Sequence, residues 1–220
     1  MAIEHLDSAE RRLPSQRMAH RLELGAVVFT GILHPLFTHF GAKGLFIFLV
    51  SVFWVGYVGW RVRQDPSLWV KWGFQVENLS LAFVWPTVIF VVATGVMAWY
   101  GARYGRLLWQ AHIFFLLLLY PVWGILQQFL IQALGVANLM ALFPGQGWVV
   151  AMPVGAVLFS IVHYPNGWLM LATGLMACIF IPCYLRDRNL WPLGLYHGWL
   201  GTFFYLWVLG KDPWLDVFGQ

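Results

Sequence analysis

Long apolar runs separated by short polar segments dominate the chain. An α-helix needs ~20 mainly apolar residues to cross the hydrocarbon core of a bilayer. Seven runs approach or exceed that length, at about residues 22–40, 45–62, 79–100, 107–134, 148–162, 168–185 and 190–209. The pattern predicts an all-α polytopic integral membrane protein with about seven transmembrane helices.

The fourth run is longer than one perpendicular span requires. Tilt or a kink would accommodate the excess, and Pro121 provides a reason for a kink. The following segment, 135–147, is apolar but interrupted by Asn138 and Pro144. Irregular backbone is tolerated at membrane depth where protein or water satisfies it, so we expect a broken or re-entrant helix at 135–147.

Composition agrees with a membrane location. Hydrophobic residues make up 60% of the chain and charged residues only 10%, whereas soluble domains carry about a quarter charged residues. The first segment is polar with mixed charge, unlike a signal peptide. We therefore divide the chain into a polar tail (1–20), N-terminal transmembrane helices (21–106), a second transmembrane core (107–210) and a short C-terminal tail (211–220).

The basic residues lie near the ends of the predicted spans. With a cytoplasmic N-terminus, nine Lys and Arg fall on the cytoplasmic side and four on the other, which favours that orientation. We expect an integral protein of a bacterial inner membrane. The net charge of +4 is explained by orientation, so no nucleic-acid partner is expected. Most of the tryptophans lie near predicted span ends, a distribution that is typical of an interfacial belt.

Polar residues inside membrane spans are costly and indicate function by default. No carboxylate lies in the interior of a predicted span, which argues against a buried acid–base pair. Amides and imidazoles lie there or at the span ends instead: Gln127, Gln128, Gln132, His163 and His197. Gln128 and Gln132 are four residues apart and would share one face of an α-helix. Hydrogen bonding between helices and a ligand site explain the glutamines equally well.

The order and spacing of these residues resemble three motifs of the CPBP family, the CAAX proteases and bacteriocin-processing enzymes. Gln127-Gln128-x-x-x-Gln132 corresponds to a Glu-Glu-x-x-x-Arg motif. Phe159-x-x-x-His163 corresponds to Phe-x-x-x-His, and His197-x-x-x-Gly201 to His-x-x-x-Asn. The resemblance covers about residues 107–209, and the third motif with its preceding Asn189-Leu-Trp-Pro192 is the most specific part. It implies a CPBP-like helical core.

The resemblance also implies roles for the motif positions. In the family the first glutamate activates the attacking water and the first histidine assists it, while the second histidine and the asparagine stabilise the oxyanion. Phe159, His163 and His197 match the family. Gln127 and Gln128 stand at the two glutamate positions. Gln132 stands at the arginine position and Gly201 at the asparagine position.

These departures predict loss of proteolysis. An amide at Gln127 cannot accept a proton near neutral pH. Gly201 has no side-chain donor, and losing one oxyanion donor typically lowers the rate by ~10²–10³. Neutralising the whole charged set together makes physical sense, because removing one partner of a buried charge pair costs about 3–5 kcal/mol. We expect a pseudoprotease that binds another membrane protein, a lipid or a hydrophobic ligand, with no cofactor.

Two alternatives remain open. An active intramembrane endopeptidase would need another base, for which Glu77 is the candidate if its loop folds inward. A small accessory subunit of a larger membrane complex is the other alternative. A zinc site is not expected, since catalytic zinc normally has three protein ligands and only His163 and His197 are suitable. Alternating spans place Gln132 and His163 at opposite membrane sides, whereas the resemblance implies that they meet.

Overall fold

A computed structural model describes the backbone of residues 2–107 and 112–218 and the side chains of residues 16–107 and 112–215. Every regular element in these ranges is helical. The α-helices are α1 (Ala2–His39), α2 (Lys43–Gln64), α3 (Ser67–Lys71), α4 (Leu79–Arg103), α5 (Ile113–Gln128), α6 (Ala137–Leu142), α7 (Gly147–Ile161), α8 (Gly167–Asp187), α9 (Trp191–Phe203) and α10 (Pro213–Phe218). The same ranges also contain two π-helices, π1 (Phe129–Val136) after α5 and π2 (Phe204–Leu209) after α9.

The membrane-spanning character predicted from the apolar runs is confirmed. Five helical stretches within the described residues are long and apolar enough to cross a bilayer: Gln16–His39, Lys43–Gln64, Leu79–Arg103, Ile113–Leu142 and Gly167–Asp187. Helix α7 is apolar but shorter. The count of seven stays a prediction. Residues 108–111, within the predicted fourth run, lie outside the described residues.

Helix α1 reaches further toward the N-terminus than the predicted first span. Its backbone is helical from Ala2 to His39, so the polar tail predicted at 1–20 continues directly into the first span without a break. The division of the chain into four segments by composition stays a prediction.

The predicted interruption at 135–147 is narrower in the structure. Helices α5, π1 and α6 follow one another without a break to Leu142. The chain then turns through residues 143–146, where Gly145 has a φ of +81°, a conformation that glycine adopts without steric cost. The break therefore lies at Pro144 and Gly145, and Asn138 is part of a helix.

The described chain forms two compact units, each with its own buried residues. Unit 1 contains residues 1–35 and 130–181, and unit 2 contains residues 36–129 and 182–220. In unit 1 helix α6 packs against α7. The buried side chains of unit 1 include Val27, Leu134, Val136, Leu139, Phe159, Phe180 and Ile181.

Unit 2 is organised around the packing of α5 against α9. This pair makes the most extensive contact between helices in the described chain. Helix α9 also packs against α4, where the Phe90 and Tyr196 rings stack with centroids 4.7 Å apart. Buried side chains of unit 2 include Trp54, Phe129, Tyr184, Leu190, Leu193 and Leu206. This packing determines which motif residues of the second core come together.

Candidate functional site

The first and third motifs meet in unit 2 through Gln128 and His197. The Nε2 atom of Gln128 lies 2.9 Å from Nδ1 of His197. Gln128 is 1% exposed and His197 6% exposed, so this hydrogen bond is shielded from solvent. Gln127, at the position of the family's water-activating glutamate, is half-buried. The structure therefore joins the second amide, and not the first, to the histidine of the third motif.

Glycines bring the two helices close enough for this contact. A Cβ at Gly198 would lie 2.5 Å from the backbone N of Pro121 and 2.6 Å from its Cα. A Cβ at Gly194 would lie 2.6 Å from the Cα of Ile125. Gly194-x-x-x-Gly198 is the small-residue spacing that lets membrane helices approach closely. That spacing is visible in the sequence, and it was the missed signal for the packing of α5 on α9.

The hydrogen bond determines which nitrogen of His197 carries the proton. An amide nitrogen only donates, so the Nε2 group of Gln128 donates and Nδ1 of His197 accepts. In the neutral imidazole the proton then resides on Nε2, which makes that atom a donor. A carboxylate at position 128 could only accept and would require the opposite tautomer. A glutamine at this position therefore favours a different tautomer of His197 from the one that a glutamate, as the resemblance implies, would require.

Gly201, at the position of the family's asparagine, lies beneath the ring of Tyr120. A Cβ at Gly201 would lie 3.0 Å from Cε1 of Tyr120, which is closer than nearly all real Cβ contacts. Asparagine could replace this glycine only if the Tyr120 ring moved. The Tyr120 ring therefore occupies part of the space that the asparagine implied by the resemblance would need.

The second motif lies in unit 1, at the end of α7. His163 Nδ1 lies 2.9 Å from the carbonyl oxygen of Phe159, and the two rings meet edge to face with centroids 5.5 Å apart. Because a carbonyl oxygen only accepts, Nδ1 of His163 carries a proton. The neutral imidazole therefore has its lone pair on Nε2, the opposite arrangement to His197. His163 is half-buried, whereas Phe159 is 4% exposed.

Gln132 also belongs to unit 1, and its side chain is fully buried at 0% exposure. It lies within π1, where backbone hydrogen bonds run from i to i+5. The expectation that Gln128 and Gln132 share a face assumed continuous α-helical geometry, and π1 begins between them. Gln132 therefore lies in a backbone geometry different from that of Gln128, which ends α5.

Glu77 does not have the surroundings expected of a catalytic base. Its side chain is exposed, and its Oε2 accepts a hydrogen bond from the neighbouring backbone N of Val76 at 3.1 Å. In contrast, Gln128 and His197 of the same unit are buried. The surroundings of Glu77 are those of an ordinary loop carboxylate and do not support a catalytic role.

Sequence reasoning missed a polar network within the first span. Asn138 Oδ1 accepts a hydrogen bond from His20 Nδ1 at 2.7 Å, and Asn138 Nδ2 donates to Glu23 Oε2 at 2.8 Å. Asn138 is 4% exposed. Glu23 therefore lies inside the Gln16–His39 span, whereas the apolar run at about 22–40 would place it at the beginning of the first span. The signal was the spacing of His20, Glu23, Thr30 and His34 along one helix face.

The described residues offer no obvious metal centre. No three side chains of His, Cys, Asp or Glu gather there in a way that could hold an ion. Cys178 and Cys183, both in α8, are free thiols. The chemistry that the described site offers is hydrogen bonding by amides and imidazoles.

Comparison with known protein families gives a match in the second core. Residues 108–203 match the profile of the family described as Type II CAAX prenyl endopeptidase Rce1-like. The match covers somewhat less than half of the chain, and it includes all three motifs discussed above. No curated protein and no solved structure gives a match.

Proposed function

Because residues 108–203 belong to the CPBP family, we propose that this integral membrane protein retains the helical core of a CAAX-type protease without peptidase activity. The observation that carries the proposal is the buried hydrogen bond between Gln128 and His197. It replaces the carboxylate–imidazole pair that the resemblance implies with a neutral pair, in which the Gln128 amide cannot accept a proton and Nδ1 of His197 already accepts the amide hydrogen bond. The protein would bind another membrane protein, a lipid or a hydrophobic ligand.

Three further features argue against hydrolysis. Gln127 carries an amide where the family has its water-activating glutamate. Gly201 has no donor, and the Tyr120 ring covers the space of one. Helices α5 and α9 are in backbone contact around Gly198, which leaves no room between them for a peptide. Each feature weakens a different part of the hydrolytic reaction.

Hydrolysis of a prenylated peptide is the direct test. We expect purified wild-type protein in detergent to leave a farnesylated peptide intact, under conditions in which an active CAAX endopeptidase cleaves it completely. Cleavage by the wild-type protein that is abolished by His163→Ala would overturn the proposal. Contaminating protease would cleave equally in both samples, so the His163→Ala variant separates the two cases.

Binding is tested separately with the same peptide. Equilibrium binding of a fluorescent farnesylated peptide to the wild-type protein, compared with an unprenylated peptide of the same sequence, measures selectivity for the hydrophobic group. Saturable binding without cleavage supports the proposal. Equal, non-saturating partition of both peptides into detergent micelles counts against a ligand of this class.

Restoring the base examines why activity is absent. We expect Gln127→Glu alone to remain inactive, because Gln128, Gln132 and Gly201 still lack the family's groups. Recovery of cleavage by this one substitution would show that the remaining site is competent.

The cytoplasmic N-terminus and the bacterial inner membrane remain parts of this proposal. A reporter fused to the N-terminus tests the orientation.

A further inference from the structure

Five basic residues converge at one end of unit 2, and we will call this surface the basic end. They come from the end of α2, from α3, and from the end of α8 with the residue after it. The basic end consists of Arg61, Arg63, Lys71, Arg186 and Arg188. It is independent of the motif residues discussed above.

Hydrogen bonds between backbone and side chains hold these segments together. Leu190 N donates to Gly73 O at 2.8 Å, and the Tyr184 hydroxyl donates to Trp72 O at 3.2 Å. Gln75 Nε2 donates to the carbonyl oxygens of Asp187 and Arg188, at 3.0 and 2.9 Å. These hydrogen bonds fix the loop at residues 72–78 against residues 184–190, which carry Arg186 and Arg188.

Asn189 joins the same two segments through its side chain. It is 1% exposed, and its Nδ2 donates to Gln75 O at 3.0 Å and to Asn78 Oδ1 at 2.8 Å. Its Oδ1 accepts from Trp191 N at 3.1 Å. This asparagine belongs to the segment that precedes the third motif, and its role in the structure is to join the two loops.

Two of the three carboxylates at this end are already matched to cations. Asp65 Oδ2 lies 3.4 Å from Lys71 Nζ, and the Ser67 hydroxyl that donates to Asp65 lowers the pKa of that carboxyl. Asp187 accepts hydrogen bonds from the Arg186 guanidinium. The third, Glu77, is exposed. Five cations against three carboxylates leave an excess of two positive charges.

Arg63 and Arg188 are two of the cations at this end that no described carboxylate pairs with. Arg63 is exposed at the end of α2 and makes no ion pair with a described residue. The Arg188 guanidinium lies over the Tyr184 ring, 5.3 Å from its centroid, so it is held in place without a carboxylate. Guanidinium groups bind phosphate oxygens in bidentate fashion.

The depth of the basic end corresponds to lipid headgroups. The spans Lys43–Gln64 and Gly167–Asp187 both end there. Trp60 is 56% exposed and Trp69 is 39% exposed at the same level, as expected of aromatic residues that mark a membrane–water interface. Basic clusters between transmembrane helices at such interfaces bind anionic lipid headgroups.

We propose that the basic end of unit 2 binds the phosphate of an anionic phospholipid headgroup, with Arg63 and Arg188 as its principal contacts. The site is distinct from the Gln128–His197 pair and does not depend on whether the protein hydrolyses peptides. An acidic protein surface would place carboxylates, not phosphates, against the same guanidinium groups.

Lipid retention by the purified full-length protein tests the proposal. Native mass spectrometry after exchange into mixed micelles of phosphatidylglycerol and phosphatidylcholine should show preferential retention of phosphatidylglycerol. We expect Arg63→Gln and Arg188→Gln each to weaken that retention about fivefold, since each removes one cation near the membrane surface. Arg63→Lys keeps the positive charge and should retain most of the phosphatidylglycerol that the wild type retains.

Arg103→Gln is the matched control at the other end of unit 2. Arg103 is exposed and lies over the Tyr104 ring, much as Arg188 lies over Tyr184. Helix α4 has 25 residues, so it places Arg103 roughly 37 Å from the basic end at ~1.5 Å per residue. This variant should retain phosphatidylglycerol as the wild type does.

Three results would overturn the proposal. They are equal retention of the two lipids, equal loss in Arg103→Gln, or binding of inorganic phosphate in lipid-free detergent as tight as that of phosphatidylglycerol. The last result would identify a free-anion site. Thermal unfolding of each variant must match the wild type, so that weaker retention reports binding and not misfolding.

Discussion

The Nε2 atom of Gln128 donates to Nδ1 of His197 across a 2.9 Å hydrogen bond between two buried side chains. This bond joins the end of α5 to the middle of α9. It connects the first and third motifs of a CPBP-type core through neutral groups. A buried neutral pair is satisfied without counter-charges, so this part of the core needs no buried ion pair.

Removing the amide should destabilise the protein. Gln128→Leu takes a hydrogen-bond donor from a buried imidazole, and an unsatisfied buried polar group costs about 1–3 kcal/mol. Thermal unfolding in detergent measures the loss. Gln127→Leu is the matched control, because that neighbouring side chain is only half-buried and should change stability by less than about 0.5 kcal/mol. Equal effects of the two substitutions would contradict the importance of the bond.

Restoring the family's carboxylate at position 128 should reverse the tautomer of His197. In the wild type Nδ1 accepts from the Gln128 amide, so the proton resides on Nε2. The carboxylate in Gln128→Glu only accepts, so the histidine must donate from Nδ1. The ¹⁵N chemical shifts of the imidazole distinguish the two forms. Unchanged shifts in Gln128→Glu would argue that Gln128 does not set the tautomer.

Close packing of α5 and α9 predicts that Gly198 cannot be enlarged. In Gly198→Ala the new Cβ would lie 2.5 Å from Pro121 N, and overpacking of this kind costs about 1–3 kcal/mol. Gly59→Ala in α2 is the control, since no atom lies within 4 Å of its Cβ position. There alanine should be neutral or stabilising by about 0.5–1 kcal/mol. Thermal unfolding compares them, and similar losses would show that backbone contact is not responsible.

Reintroducing the family's asparagine should conflict with Tyr120. The Cβ of Gly201→Asn would lie 3.0 Å from Cε1 of Tyr120, so the single substitution should destabilise by roughly 1–3 kcal/mol. Combining it with Tyr120→Ala should cost less than the sum of the two single effects, because the ring that causes the conflict is gone. Additive free energies in this double-mutant cycle would place the origin of the cost elsewhere.

Asn189 should stabilise the loop at residues 72–78, which lies at the basic end. Asn189→Ala removes hydrogen bonds to Gln75 and Asn78, and the loss should be about 1–3 kcal/mol because the site is buried. Limited proteolysis should then cut the loop at residues 72–78 faster than in the wild type. Asn166→Ala, which removes the cap of α8 at Leu169, is a control that should leave that loop protected.

Much of the architecture could be predicted from the sequence because lipid imposes strong local constraints. A span must be about 20 apolar residues long and helical to satisfy its own backbone groups, so composition and run length were sufficient for the membrane fold. Motif order and spacing were sufficient to predict the resemblance to the family, and residues 108–203 match a family model of that kind. The sequence also predicted an interruption at 135–147, of which only residues 143–146 break the helices.

Contacts between distant residues depended on the tertiary structure. The sequence shows three glutamines and two histidines, but only the packing of α5 on α9 pairs Gln128 with His197 and covers Gly201 with Tyr120. The beginning of π1 after Gln128 and the Asn138–Glu23 bond were likewise not evident. Periodicity reports which face of one helix is apolar, whereas the partner across an interface is decided by close packing of side chains from far apart in the chain.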